Sequence, residues 1–294
     1  MKGNKQTGLT HLHVYTLVIY RMERETVACI IITACRSPRK DTEQQFSRFS
    51  VNKELKNKGM AEQALFQPFN RNQQRENLEN TKETGLLISL IPSLQEDFYV
   101  DSLTTGASKE TLSKLLLRNP GIKNETAVIE MIHFLHDEGD RISFSILLPF
   151  LVAEYDPKEL EEKIRERFFG IELFIRKCNN LHHFITCIKA DQTIKIGEEE
   201  LKRGVLAWDM GRMVCLTRIA YDAGFIDESL AWNYICSAGQ QCIQAFNDWT
   251  EVGKSFLLGQ AMEATEKRKQ ELYIRLYRQA TENPNSPWKK RTLK

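Results

Sequence analysis

The stretch VLAWDMGRMVCLTRIAYDAG, residues 205–224, constrains the fold more than any other part of the chain. Leu201, Val205, Trp208, Arg212, Cys215 and Ile219 follow one another at steps of three or four, the spacing of a single helix face. With Leu216 and other apolar residues on the remaining sides, the segment reads as a buried helix. Yet it carries Asp209, Arg212 and Arg218. Burying such charges costs several kcal/mol unless each is paired and hydrogen-bonded, so the rest of the chain must supply partners. Asp209 stands three residues before Arg212 and can reach it on the same face.

The surrounding sequence is also helical in pattern. SKETLSKLLLR, residues 108–118, has a capping Ser108 and apolar Leu112, Leu115 and Leu116 before NPG breaks it. Asn124 opens a helix with Val128, Met131, Ile132 and Leu135 in register, and Gly139 supplies its stop. Pro157 fits a first helical position after Asp156, and the segment that follows places acidic residues early and basic ones late, with Leu160, Ile164, Phe168, Ile171 and Ile175 as its stripe. Gly224 ends the segment described first, and Asp227 caps the next, so residues 198–246 form a two-helix hairpin. Asn247 or Asp248 opens a last long helix, and Pro284 with Pro287 ends the ordered part. The expected fold is mainly α: a compact multi-helix domain over residues 81–281, a flexible basic extension over 1–80 and a basic tail over 282–294.

Charge separates the extension from the domain. Residues 1–80 hold 13 Lys or Arg against 8 Asp or Glu, although the chain as a whole has a formal net charge of only +2. That imbalance describes a solvated linker better than a nucleic-acid surface. The apolar bursts HVYTLVIY and TVACIIITAC are too short to span a bilayer, which takes about 20 apolar residues. Cys35 ends a run resembling a lipoprotein processing box, but Glu23 and Glu25 occupy the flank where a signal peptide is positive. Residues 1–59 read as a disordered extension or as sequence upstream of the natural start, with Met60 opening a more protein-like stretch. Cys29, Cys35, Cys178, Cys187, Cys215, Cys236 and Cys242 make an odd set without a CxxC pair, as expected of reduced thiols in a cytoplasmic protein.

Motifs that specify a reaction are missing from the sequence. There is no Gly-rich phosphate loop or nucleophile elbow, so no cofactor is implied. His133 and His136 stand three apart on one helix, and only His182 and His183 could complete a metal site, so the two are read as edge residues of an amphipathic helix and no metal is expected.

The run GVLAWDMGRMVCLTRIAYDAGFIDESLAWNYI, followed by WTEVGKSFLLGQAM and preceded by GIKNETAVIEMIHFLHDEGDR, resembles the bacterial domain-of-unknown-function family 1266, which includes enterobacterial cytoplasmic proteins. The resemblance covers approximately residues 98–265 and falls on Trp208, Asp209, Arg212, Arg218, Gly224, Trp232, Trp249 and Gly259. It implies an α-helical domain and carries no activity with it.

Two readings of the charged helix follow. In the first, Asp209 and Arg212 are a structural pair fixing helices 198–222 and 227–246, completed by Arg218 or Asp222, in a protein-interaction or regulatory module whose partner the sequence does not name. In the second, Asp209, Arg212, Arg218 and Glu251 converge on a cleft walled by Trp208, Trp232 and Trp249, where an enzyme or binding protein holds an anionic ligand. A delivered bacterial effector is a third reading.

Overall fold

A computed structural model describes residues 66–117, 122–153, 155–167, 172–191, 194–263 and 266–294. Both N-terminal apolar bursts, Cys35 and the Met60 start lie outside these residues. All regular structure in the described residues is helical. In chain order the helices are α1 Asn80–Leu87, α2 Leu90–Glu96, α3 Lys109–Leu117, α4 Glu125–Asp137, α5 Gly139–Val152, α6 Pro157–Arg167 and α7 Glu172–Asp191. They continue as α8 Glu198–Arg203, α9 Leu206–Ala223, α10 Glu228–Ala245, α11 Trp249–Glu263, α12 Lys267–Thr281 and α13 Pro287–Lys290.

The ends of these helices follow from local chemistry. Asn124 and Asp227 accept the backbone N–H groups of Ala127 and Leu230, satisfying donors that the first turns of α4 and α10 leave open. The carboxylate of Asp156 does the same for Lys158 and Glu159 in α6. Gly224 ends α9 in the left-handed conformation. Of the stretch read as one helix from Pro157, the described residues form α6 and α7, with Phe168 and Ile171 outside them. The long C-terminal helix is divided into α11 and α12, with Glu266 extended before α12.

Helix α9 is the centre of the molecule. Every residue from 207 to 220 is buried, and α2, α3, α4, α5, α10 and α11 all pack against it. The α9–α10 hairpin forms, but its first helix starts at Leu206: residues 198–203, read as part of it, are the separate α8, ended at Gly204 with φ +76°, and α1 packs on α10. That packing needs glycine twice, because a Cβ on Gly239 would stand 2.9 Å from the Cα of Gly85, and one on Gly85 would run into the Ile235 backbone. A smaller core of Leu147, Leu160, Ile164, Phe174, Ile175 and Cys178 ties α5, α6 and α7 together.

Described residues on both sides of the segment 81–281 contact its helices. Residues 66–79 were assigned to a flexible extension, yet Gln67 exchanges hydrogen bonds with the Gln279 side chain of α12, and Val100 N–H donates to the Asn70 carbonyl. The tail beyond Pro284 continues into α13, where Trp288 is buried, stacks on Trp249 at 5.1 Å and donates its indole N–H to the Leu87 carbonyl. Ser286 caps α13 and Pro287 stands at its start, so the proline begins a helix where it was expected to end order. No helix among the described residues is long and apolar enough to cross a membrane.

Candidate functional site

Asp209 projects from the first turn of α9 onto the start of α5. Its Oδ1 accepts the N–H of Asp140 at 2.9 Å and its Oδ2 the N–H of Arg141 at 3.0 Å. These are the second and third residues of α5, whose preceding Glu138 makes no side-chain cap. Asp209 therefore caps α5 from another helix, and a carboxylate at a helix N-terminus is favoured by the helix dipole. Gly139 makes room for it: its φ is +59°, and a Cβ there would collide with the Asp209 carboxylate.

Three further helices complete the cluster. The Arg212 Nη2 lies 2.5 Å from Asp209 Oδ1 and 2.8 Å from Asp140 Oδ2. Asp140 also accepts the Trp208 indole N–H at 2.9 Å, and its Oδ1 binds the Lys177 ammonium at 2.8 Å. Lys177 comes from α7, and Glu263 at the end of α11 lies 3.9 Å from it. On the outer side Arg141 reaches Asp209 Oδ2 at 3.3 Å, and its guanidinium also donates to the Leu135 and His136 carbonyls at the end of α4. The Arg212 guanidinium lies over the Trp208 ring, 4.5 Å from its centroid. Asp140 and Asp209 are fully buried, and Lys177 and Arg212 are 1% and 5% exposed.

The electrostatics distinguish the two carboxylates. Burial raises Asp140, but Lys177 and Arg212 outweigh it and hold the group well below the usual carboxylate range. Burial also raises Asp209, and with the negative charge of Asp140 beside it the effect exceeds the pull of Arg212 and Arg141. Two carboxylates thus face the buried cations Lys177 and Arg212, with Arg141 and Glu263 adding one charge of each sign at the margin. The cluster is balanced.

Of the residues singled out in the sequence, Trp208, Asp209 and Arg212 come together here. Their partners come from α5, whose Asp140 in turn binds Lys177 of α7, whereas the sequence reading placed the pair between α9 and α10. Arg218 serves a different place. Fully buried near the other end of α9, it donates to the carbonyls of Tyr99, Leu103 and Thr104 and to the hydroxyls of Ser89 and Ser93. Burial lowers it to about 10, still charged at neutral pH. Asp222 accepts the N–H and hydroxyl of Thr105, so it holds the same loop and is no partner of Asp209. Glu251 pairs with Arg203 at 3.0 Å and caps its own helix through the Asn247 N–H. Trp232 donates to Glu228 with Lys82 over its ring, and Trp249 donates to the Arg291 carbonyl.

Asp140 and Lys177 were missed by the sequence reading, although a signal was present. Phe174, Lys177, Leu181, Phe184 and Ile188 step by three and four, which puts the lysine on the buried face of α7. Asp140, Phe144 and Leu147 do the same on α5. Among the described residues no group of three or more His, Cys, Asp or Glu could hold a metal ion. His133 meets Tyr234 at 3.1 Å, and His183 lies 3.2 Å from Gln270, each within reach of a protein group. Cys178, Cys215 and Cys242 are buried free thiols, and burial pushes the first two up to about 12.

Comparison with curated proteins and with solved structures gives no match. A family profile described as "Protein of unknown function (DUF1266)" matches residues 116–293, extending from α3 to the end of the C-terminal segment that packs on Trp249. It includes all the residues of the ionic cluster, and the chain belongs to this DUF1266 family.

Proposed function

We propose that the domain is a protein-interaction or regulatory module and that Asp209, Arg212, Asp140 and Lys177 are its structural lock. The carrying observation is that the cluster's charges are balanced and committed to one another while all four residues are almost wholly buried. A site for an anionic ligand needs a cation turned toward solvent or a cleft. Here Arg212 faces Asp209, Asp140 and the Trp208 ring. The separate attachments of Arg218, Glu251, Trp232 and Trp249 weigh against one shared ligand cleft. The helices that the lock joins carry the outer surface, and recognition of a partner belongs there.

Urea unfolding of Asp209→Asn beside the wild type tests the lock. Replacing the carboxylate leaves Arg212 short of one partner and the start of α5 without its charged cap, so a loss of about 3–5 kcal/mol is expected. Inorganic phosphate and acetate should not raise the wild-type melting temperature beyond a matched chloride control. Unchanged stability in the variant, together with concentration-dependent stabilisation by either anion, would overturn the lock and favour a ligand site.

A further inference from the structure

The outer edges of α4 and α10, which both pack on α9, are bridged by a second polar group that the lock does not use. The His136 Nδ1 lies 2.6 Å from Asp137 Oδ1, and its Nε2 lies 2.9 Å from Ser237 Oγ. The Gln241 amide nitrogen, one turn further along α10, stands 2.8 Å from the same Nε2. These neighbours agree on the state of the ring. A carboxylate only accepts, so the proton is on Nδ1; an amide N–H only donates, so Nε2 presents its lone pair. That single lone pair accepts from one donor at a time, so the Ser237 hydroxyl takes it when the Gln241 amide turns away. The His136 side chain is 32% exposed, and Ser237 is half-buried. Arg141 anchors the segment by donating to the Leu135 and His136 carbonyls.

We propose that Ser237 is a nucleophile for acyl transfer, with His136 as its general base, Asp137 as the positioning residue and Gln241 as an amide donor to the oxyanion. The substrate class is a small activated acyl ester. Serine, imidazole and carboxylate in hydrogen-bonded sequence are recognised by geometry and role, independently of fold and chain order. In the first half-reaction the Ser237 Oγ forms a bond to the acyl carbon as His136 Nε2 takes the hydroxyl proton. The carbon–oxygen bond to the leaving alcohol then breaks, and the alcohol takes that proton from His136. In the second, water attacks the acyl-serine, His136 takes a proton from the water, and the Oγ leaves with it. The products are one acid and one alcohol, and no redox partner is involved. This inference goes beyond the module reading: failure of the lock appears as unchanged stability in Asp209→Asn, and failure of the serine as absent labelling of a folded protein.

The probe is a fluorophosphonate, whose phosphorus–fluorine bond breaks as Oγ–phosphorus forms, releasing fluoride. The full-length chain is incubated with it and the adduct located by peptide mass spectrometry. Expected are a single adduct on Ser237, none on the Ser237→Ala protein, and labelling at least tenfold slower for His136→Gln, with melting temperatures unchanged. Asp137→Asn should also label more slowly, with Asp137→Glu regaining part of the rate, a rescue that a purely structural contact would not show in the labelling rate. No adduct on the wild type, an adduct elsewhere only, or His136→Gln labelling as fast as the wild type would each overturn the proposal.

Discussion

At the scale of single residues, the ionic cluster depends on Gly139 as much as on any charge. Its positive φ turns the chain from α4 into α5, and its missing side chain admits the Asp209 carboxylate to the N-terminus of α5. Gly139→Ala places a Cβ in an unfavourable backbone region and against that carboxylate. A loss of at least about 2 kcal/mol is expected from the two effects together. Urea unfolding measures it, and a variant as stable as the wild type would mean that α5 starts without Asp209. Acidification examines Asp140 separately. The native group keeps its charge below its ordinary value of 3.8, where the unfolded chain takes up a proton, so its contribution is present above pH 3.8 and is lost as pH falls below it. Asp209 is shifted upward, so its effect has the opposite sign and runs above 3.8. Asp140→Asn should therefore be less stable than the wild type at pH 7 yet decline less steeply below pH 3.8. Equal acid slopes in the two proteins would refute the assignment.

At the scale of elements, α9 works as an axle with a different polar fixture at each end. Its N-terminal half holds α5 through Asp209, Arg212 and Trp208, with Asp140 of α5 passing the link on to Lys177 of α7, and its C-terminal half holds the loop of residues 97–106 through Arg218 and Asp222. Arg218→Lys retains charge but offers three donors from one point in place of a planar fork. Carbonyls of Tyr99, Leu103 and Thr104 then lose a donor, at about 1–3 kcal/mol for each that stays buried. Hydrogen exchange should quicken over residues 97–106 while the amides of α4 and α5 stay protected. Loss of protection across all helices at once would show that the two fixtures are one cooperative unit. The axle itself was legible in the sequence because its apolar character runs all round and its Asp–Arg pair is local. The caps at Asn124, Asp156 and Asp227 were legible for the same reason: the chemistry lies within four residues. Asp140 pairs with Lys177 across 37 positions and with Trp208 across 68, separations at which no local pattern names the partner. What the pattern did offer was a charge at a stripe position, and that says a partner exists without saying which.

At the scale of the whole molecule, the first and last described segments close the fold against each other. Gln67 is held by Gln279 and Asn283, Arg291 pairs with Glu83 of α1 and donates to Asn80, and Trp288 fills the space between Leu87 and Trp249. A proline-bounded basic stretch such as NPNSPWKKRTLK has the composition of a solvated tail, so its place in the core could be suspected only from Trp288 and Leu293, both now found buried. Helix α13 is only four residues long and has little stability of its own. Its order therefore comes from tertiary contact, and the contact should matter in both directions. Trp288→Ala removes a buried aromatic, its stack on Trp249 and its hydrogen bond to Leu87, and should cost about 3–5 kcal/mol. Thermal unfolding followed by circular dichroism measures the shift, and near-ultraviolet spectra report the altered surroundings of Trp249. Trp288→Phe keeps most of the apolar contact while losing the indole N–H, and should recover more than half of the loss if packing dominates the hydrogen bond. An unchanged melting temperature in Trp288→Ala would instead make residues 287–294 a dispensable appendage, and α1 with α11 would have to close the core unaided.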